Sequence, residues 1–303
     1  MEDIKDNEIR IIGQRGNSVA PKKPSRSWWQ RKRIWVTLSA IMLLVILLVA
    51  FLYGRQVGEA NMKEVARDVT EALYEPEEVP FVYTAPTDRI FSQDTSAQSY
   101  TETRDTIISD IPLRIYNAVN ATPSLHIGKL DTHDPNLILA FQAADVRKDN
   151  GKIVGACVYH GNIESRGLSK KGYVSILDGQ ITVGVAENSP LFEKAVEQGG
   201  DFFRQYPLLD KGFIVESILK GKSIRRAICE RGDEILVIET QTPESMHDFS
   251  QVLQDFQVKN AVYLVGSQYA CGSMQDKAGV QTEWGEFRFI KNKNISYIVW
   301  KRK

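Results

Sequence analysis

The stretch Lys222–Gly272 constrains the fold most strongly, because it combines two buried-strand patterns with one amphipathic-helix pattern. The β-branched run Ile235–Ile238 follows a Gly-containing turn and is typical of a buried strand. Helix-start signals come next, with Thr242 as the expected N-cap and Pro243 at the first helical position. Apolar residues then recur on one helix face, at Phe249, Val252, Leu253 and Phe256. A second apolar run, Ala261–Val265, completes a strand–helix–strand pattern that predicts a crossover packed on a sheet.

Short apolar runs separated by turn signals fill the rest of the C-terminal part. The predicted strands are Ile107–Ile108, Leu113–Val119, Leu137–Ala143, Ile153–Tyr159, Tyr173–Leu177, Ile181–Val185 and a closing strand within Ile290–Trp300. Asp178 and Gly179 predict a two-residue hairpin turn. The segment Pro190–Gln198 predicts a short helix with Ser189 as its cap. Because short strands outnumber the helices, we expect an α+β fold with a mixed β-sheet core and few helices.

An uncharged run of twenty residues, Ile34–Tyr53, precedes this domain. A helix of that length spans about 30 Å, which matches the hydrocarbon core of a bilayer. Trp35 suits one membrane interface, and the basic cluster Arg31–Arg33 orients the N-terminal side toward the cytoplasm. A cleaved signal peptide is the alternative, but no A-x-A cleavage pattern follows the run. We therefore expect a single-pass signal anchor formed by one N-terminal transmembrane helix.

The expected organisation has four parts. They are a cytoplasmic basic tail (residues 1–33), the transmembrane helix (34–53), a stalk and linker (54–100) and a folded domain (101–303). The tail carries nine Lys/Arg against four Asp/Glu, whereas the whole chain has a net charge of zero. The remaining chain is therefore mildly acidic, which argues against nucleic-acid binding. The expected location is the bacterial inner (cytoplasmic) membrane, with the C-terminal domain on the periplasmic, extracytoplasmic side.

Several familiar chemistries are disfavoured because their motifs are absent from the sequence. The three cysteines, Cys157, Cys229 and Cys271, form no C-x-x-C pair, and the four histidines show no metal-binding spacing. There is no P-loop, no G-x-G-x-x-G and no G-x-S-x-G. We therefore predict no metal and no cofactor. The sequence identifies no protein partner.

Polar residues at strand ends are the candidate site residues. Gln142 and Asp145 follow the apolar run Leu137–Phe141, where loop side chains can reach into a site. Arg225 and Arg226 lie in an otherwise apolar strand, so only one of them can face a given side. A guanidinium buried at such a strand end needs a carboxylate or a bound anion as its partner.

A second polar group, Asp201, Arg204 and Gln205, lies among the aromatic residues Phe202, Phe203 and Tyr206. Aromatic rings stack on sugar faces, and arginine binds oxyanions bidentately. This mixture is therefore typical of a sugar or phosphate site. The alternative is an aromatic core edge that carries surface charges.

In segment order the chain resembles the phosphodiester glycosidase domain, the family of the mannose 6-phosphate uncovering enzyme and its bacterial relatives. The resemblance covers Leu137–Met274. Its segments are FQAAD at Phe141–Asp145, GKIVGACVYHG at Gly151–Gly161, YPLLDKG at Tyr206–Gly212, RRAIC at Arg225–Cys229 and AVYLVGSQYACGSM at Ala261–Met274. It implies hydrolysis of sugar-1-phosphodiester or related envelope glycan linkages, with a glycan or sugar phosphodiester as the ligand.

The resemblance also suggests roles for the candidate residues. Asp145 or Asp201 would act as acid/base, and the substrate-binding residues would be Gln142, Arg204, Gln205, Arg225 and Gly266. The chain departs from the family where Val265 replaces an Asp, because valine has no titratable group. A catalytically inactive descendant that binds glycan or protein is therefore the alternative. A third hypothesis is a thiol-dependent enzyme in which neighbouring arginines activate Cys229.

Overall fold

The computed structural model describes residues 42–52, 82–94, 96–167, 169–217, 219–287 and 293–303. The chain divides into two compact units, Met1–Val79 and Pro80–Lys303. In the first unit, residues 42–52 form a helix, α1, with exposed apolar side chains. Residues 34–41 and 53 of the predicted transmembrane run lie outside the described residues. Within the described ranges, no helix combines the length and apolarity needed to cross a bilayer.

The second unit contains a seven-stranded sheet, the first of three sheets. Its strands are β1 (Tyr100–Ile108), β2 (Ile111–Val119), β10 (Pro207–Asp210), β11 (Phe213–Ile214), β12 (Arg226–Arg231), β13 (Glu234–Thr240) and β14 (Asn260–Leu264). They lie in the order β1-β2-β13-β12-β14-β10-β11.

Two five-stranded sheets complete this unit. The second sheet has the order β16-β15-β4-β17-β3, formed by β3 (Ala121–Ile127), β4 (Leu137–Gln142), β15 (Gly272–Gln275), β16 (Gln281–Trp284) and β17 (Ser296–Arg302). The third sheet has the order β6-β5-β9-β7-β8, formed by β5 (Ala156–Tyr159), β6 (Asn162–Arg166), β7 (Gly172–Leu177), β8 (Gln180–Val185) and β9 (Asp201–Gln205). Two short helices accompany these strands, so the α+β class with few helices is confirmed.

The predicted strand–helix–strand crossover is present. β13 and β14 both pair antiparallel with β12, which lies between them, so they run in the same direction. Ile228 of β12 has Val237 on one side and Val262 on the other. Every ladder among the described strands is antiparallel, so β13 and β14 share a direction only because β12 lies between them.

The crossover helix α3 spans Met246–Asp255 and begins later than predicted. Its N-cap is Ser245, whose side chain accepts a hydrogen bond from the backbone N–H of Asp248. The Thr242 hydroxyl instead bonds the carboxylate of Glu244 at 2.8 Å, and Glu244 forms a β-bridge with Ser223. The bridge holds this segment extended, so the helix cannot start at Thr242.

Two further local predictions concern the third sheet and the helix that packs beside it. Asp178 and Gly179, both with positive φ, form the β7–β8 turn, which confirms the hairpin. The short helix α2 spans Leu191–Glu197, with Pro190 at the N-cap and no side-chain capping bond. The Ser189 hydroxyl accepts from the N–H of Leu191 at 3.3 Å, so it contributes from the residue before the cap.

The alternation of apolar residues along each strand determines which faces of the sheets pack against each other. A central core unites the three sheets through buried side chains such as Phe141, Phe203 and Ile228. On the opposite face of the seven-stranded sheet, Ala227 and Cys229 pack with the apolar face of α3. In the same way Phe202, on the outer face of the third sheet, packs with α2.

Part of the segment predicted to be linker packs against the domain. Phe91 is buried, and the backbone N–H groups of Ile90 and Phe91 donate to the carboxylate of Glu234. The Arg231 guanidinium donates to the carbonyl oxygen of Asp88 at 2.9 Å. Ordered contacts therefore begin before the predicted domain start at residue 101.

Candidate functional site

A buried lysine, Lys170, organises a polar cluster between the second and third sheets. Its ammonium donates to Asp145 Oδ2 at 2.5 Å and to Gln205 Oε1 at 2.6 Å. It also lies 4.4 Å from the centroid of the Tyr206 ring, within cation–π range. Asp145, Lys170, Gln205 and Tyr206 are named the lysine cluster below. Three kinds of partner thus surround one ammonium: a carboxylate, an amide oxygen and an aromatic face.

The cluster has one buried side and one side open to solvent. The Lys170 side chain is 4% exposed and the Asp145 side chain 35% exposed. Burial lowers the pKa of Lys170, while the negative charge of Asp145 opposes that shift. Burial, and secondarily the Asp145 charge, raise the pKa of the Tyr206 phenol. A ligand would therefore reach the cluster from the side of Asp145 and Tyr206.

Backbone geometry sets the position of each member. Gln205 ends β9, and its side-chain N–H donates to the carbonyl oxygen of Ala143, just beyond β4. The carbonyl oxygen of Asp145 accepts from Val154 at 2.8 Å, which fixes the loop after β4. Lys170 has a φ of 71°, so the chain bends sharply before β7. The cluster therefore lies where the ends of β4 and β9 meet the loop that leads into β7.

Gln142 and Gly266 lie next to this junction. The Gln142 carbonyl oxygen accepts from the N–H of Val265 at 3.2 Å, which joins the ends of β4 and β14. The N–H of Gly266 donates to the Tyr263 hydroxyl at 3.0 Å. The Tyr263 N–H donates to the Tyr206 carbonyl oxygen at 2.9 Å, so Gly266 is connected to the lysine cluster through Tyr263. The Gln142 side chain instead hydrogen-bonds to Tyr297 and does not join the cluster.

A side chain at position 266 has no space. A Cβ there would lie 2.3 Å from the Ile224 carbonyl oxygen and 2.7 Å from the Tyr263 hydroxyl. Gly266 therefore permits close packing of the β14 end against the segment before β12. Its predicted role in substrate binding would rest on its backbone alone.

Asp201 does not join the site. It begins β9, at the opposite end from Gln205. Its Oδ2 accepts from the backbone N–H of Leu125, and its Oδ1 from that of His160, both at 2.7 Å. The side chain is 4% exposed. Both carboxylate oxygens are bonded to the backbone, so Asp201 ties β3 and the β5–β6 turn to β9 and is structural here.

Arg225 also has backbone partners and not the expected carboxylate or anion. Its Nε donates to the carbonyl oxygen of Glu244 at 2.8 Å, and a terminal nitrogen donates to that of Gly221 at 2.5 Å. Arg226 has different partners, because neighbouring strand residues point to opposite faces. It forms an ion pair with Glu239 and donates to the Ala270 carbonyl oxygen at 3.1 Å.

Arg204 lies beside Gln205 on β9 but points to the other face of the sheet. Its guanidinium donates to the carbonyl oxygens of Lys170 (2.9 Å), Ala186 (3.0 Å) and Glu187 (2.6 Å). It thereby holds the backbone of Lys170 in place. The Arg204 side chain and the lysine cluster therefore lie on opposite faces of the third sheet.

The thiol hypothesis is wrong for Cys229. This residue is fully buried, and burial raises the pKa of its thiol far above the usual range. Its side chain packs with α3, whereas Arg226 points elsewhere. Burial also raises the pKa of Cys157 to about 12 and that of Cys271 to about 11. A thiolate nucleophile is therefore disfavoured at each of the three positions.

Sequence reasoning missed Lys170 and Tyr263 as site residues, whereas Tyr206 was noted among the aromatic residues around Gln205. Lys170 lies in a loop next to a second lysine and has no motif around it. Its partners Asp145 and Gln205 are distant in sequence, so no spacing rule could have joined them. Within the part of the chain that the structure describes, no cluster of three or more metal-ligating side chains occurs.

About two thirds of the chain is similar in fold to each of two solved structures. One is the catalytic domain of zebrafish N-acetylglucosamine-1-phosphodiester alpha-N-acetylglucosaminidase, auto-inhibited by its pro-peptide. The identity is 12%, the match covers 68% of this chain and 83% of that chain, and the TM-score is 0.49. The other is a hypothetical protein from Synechocystis, with 12% identity, coverage of 66% of this chain and 61% of that chain, and a TM-score of 0.48. No protein-family model and no curated protein matches the sequence.

Proposed function

We propose that this protein hydrolyses sugar-1-phosphodiester or related envelope glycan linkages at the lysine cluster. The observation that carries the proposal is the 2.5 Å contact between Asp145 and the buried Lys170. A partly exposed carboxylate beside a buried ammonium with a lowered pKa is typical of a functional site. The segment resemblance over Leu137–Met274 supports the same class of substrate.

In this proposal each residue has a separate task. Asp145 is the acid/base, because it is the exposed carboxylate of the cluster. Lys170 supplies positive charge for the phosphodiester. One face of the Tyr206 ring covers the Lys170 ammonium, and the opposite face would pack on the sugar. Gln205 is fully buried, so it positions Lys170 and does not bind substrate hydroxyls itself.

The test is release of free sugar from a panel of sugar 1-phosphodiesters by the full-length chain in detergent. We expect turnover by the wild type and a loss of about a hundredfold or more in Asp145→Asn, the range for a general acid/base. Lys170→Met should show a similar loss. The matched control is Asp149→Asn, an exposed carboxylate in the same loop that pairs with Arg147 and should change nothing. Turnover that survives Asp145→Asn would contradict the proposed role.

Binding without turnover is the second candidate function. It is favoured by Val265, which follows β14 and presents no carboxylate next to Gly266. A glycan-binding or protein-binding envelope module needs the cluster only for recognition. Glycan-array binding by a wild type that shows no hydrolysis would favour this function, and Lys170→Met should then abolish the binding.

We further propose that Ile34–Tyr53 anchors the chain in the inner membrane, with residues 54–303 extracytoplasmic. The support is the uncharged length of the run and the basic residues before it. Alkaline phosphatase fused after Lys303 should be active in bacterial cells, and the chain should resist carbonate extraction. An inactive fusion, or release by carbonate, would contradict the anchor.

A further inference from the structure

A cavity of about 470 Å³ opens on the outer face of the third sheet, beside α2. Its walls come from β5, β6, β9 and the segment that leads into α2. The polar and aromatic lining residues are Arg166, Asn188, Ser189, Phe192, Glu193 and Arg204. The volume falls within the usual range for small-molecule sites, about 300–1,000 Å³.

Arg204 gives this cavity an uncompensated positive charge. The residue is 4% exposed, and its guanidinium donates to three backbone carbonyl oxygens. Among the described residues, no carboxylate forms an ion pair with it. Burial lowers the pKa of its guanidinium, and the phenol of Tyr173 opposes that shift without supplying a carboxylate partner. A buried charge normally has a counter-ion, so a bound anion would complete this arrangement.

A second cation and an aromatic face lie at the same cavity. The Arg166 guanidinium lies 5.9 Å from the centroid of the Phe192 ring. Arg166 is exposed and Phe192 is half-buried, so both can meet a ligand that enters from solvent. With Glu193 included, the lining carries two positive charges against one negative charge, while Asn188 and Ser189 add hydrogen-bonding groups.

We propose that this cavity binds an anionic saccharide. Its phosphate or carboxylate would lie between Arg166 and Arg204, and its sugar ring would pack against Phe192. Arginine recognises both anions through bidentate hydrogen bonds, so the chemistry on the cavity wall is the same for each. The hydroxyl groups of the sugar would meet Asn188 and Ser189.

This site is separate from the lysine cluster. Arg204 and Gln205 are neighbours on β9 and point to opposite faces, as their partners show. Phe202 shares the Arg204 face and packs with α2, whereas Phe203 packs in the central core. The two sites are connected through the β9 backbone and through Lys170, whose carbonyl oxygen accepts from Arg204. Binding in the cavity therefore does not require hydrolysis at the cluster.

The test is calorimetric titration of the full-length chain in detergent with glucose 1-phosphate, glucuronate, glucose and inorganic phosphate. We expect both anionic sugars to bind and glucose to show no binding. Arg166→Gln should weaken both by about tenfold, the effect of one lost charge-assisted hydrogen bond. Phe192→Leu should weaken the anionic sugars and leave inorganic phosphate unchanged. Arg166→Gln is the main variant, because Arg204→Gln also removes three backbone contacts and can unfold the chain.

Two controls separate this proposal from the others. Arg104→Gln removes an exposed arginine on β1 and should leave binding unchanged. Asp145→Asn disables the proposed hydrolytic site and should also leave binding unchanged. The proposal is overturned if the folded wild type binds neither anionic sugar, or if glucose binds equally well. It is also overturned if inorganic phosphate binds as tightly as glucose 1-phosphate, if Arg166→Gln has no effect, or if Asp145→Asn abolishes binding.

Discussion

The ammonium of Lys170 lies 2.5 Å from the carboxylate of Asp145, yet the two side chains are 4% and 35% exposed. The pair is therefore asymmetric: Asp145 keeps contact with water, whereas Lys170 depends on its partners in the fold. Because burial lowers the pKa of Lys170 despite that partner, the folded state binds its proton less tightly than the unfolded chain does. This difference has a measurable consequence for stability.

The contribution of Lys170 to stability should rise as the pH increases toward its ordinary pKa of 10.5. A lowered folded-state pKa means that the unfolded chain holds more protons in this range, and stability then increases with pH. The contribution is fully present above the unfolded-state pKa and is lost as pH falls through the folded-state pKa. The measurement is the urea-unfolding free energy of wild type minus that of Lys170→Met, because other lysines cancel in the difference. A difference that falls with rising pH would contradict this assignment.

Asp201→Asn should destabilise the protein by about 2–4 kcal/mol without a direct effect on the lysine cluster. The change removes the negative charge that accepts hydrogen bonds from the backbone N–H groups of Leu125 and His160. The new amide group also turns its own N–H toward one of these donors, which then has no acceptor. Urea unfolding measures the loss. Any activity per folded molecule should be unchanged at a temperature where the variant is folded. A variant of full stability that loses activity would instead place Asp201 in the reaction.

The control for Asp201 is His160→Ala. The His160 side chain is about half exposed; alanine retains the backbone N–H that Asp201 binds but loses the 3.3 Å contact between His160 Nδ1 and Asp201 Oδ1. We expect a loss of at most about 1 kcal/mol, the range for exposed ion pairs. A large loss in this variant would shift the structural role from the backbone bond to the imidazole.

Gly266→Ala should cost at least about 1–3 kcal/mol, the range for overpacking a buried contact. The new Cβ would lie 2.3 Å from the Ile224 carbonyl oxygen, so the ends of β12 and β14 must separate. Gly279→Ala is the comparison, since nothing lies within 4 Å of its Cβ and its cost is limited to the backbone strain of a positive φ of 83°, which Gly266 does not have. Thermal and urea unfolding should show the larger loss at position 266. Equal losses would show that the close approach at Gly266 is not limiting.

The three thiols should react slowly in the native protein and quickly after unfolding. All three cysteines are buried, and burial raises the pKa of each thiol. Titration with a chromogenic disulfide reagent at neutral pH, with and without denaturant, measures both rates. Iodoacetamide treatment of the folded chain should leave any hydrolysis or binding unchanged. Rapid labelling of Cys229 in the native protein would contradict this prediction and support the thiol hypothesis.

Local patterns predicted the strands that carry a continuous apolar run, because such a run depends on neighbouring residues alone. They missed strands with polar sequences, such as β3 and β6, whose pairing partners lie elsewhere in the chain. The run that begins at Leu137 is buried throughout as β4, and Asp178 and Gly179 adopt the positive φ values that their turn requires. Helix starts were less predictable. Thr242 has the chemistry of an N-cap, but the bridge between Ser223 and Glu244 holds that segment extended, and Ser245 caps the helix instead.

The candidate site was predicted only in part, since a polar side chain has the same chemistry in a site and in a scaffold. Asp145 and Asp201 are both carboxylates at strand ends. One faces a lysine and solvent, and the other has both oxygens bonded to backbone N–H groups. Arg225 likewise has carbonyl partners from two distant segments.

The sequence by itself determined the elements: the alternation of apolar residues, the turn residues and the strand–helix–strand order of Lys222–Gly272. The tertiary structure alone decided which polar groups meet. Lys170, Asp145 and Gln205 come from three loops or strand ends far apart in sequence, and Arg204 and Gln205 separate although they are adjacent. Secondary structure follows local periodicity, whereas ion pairs follow the packing of three sheets around one core, and a single sequence does not encode that packing in any local pattern.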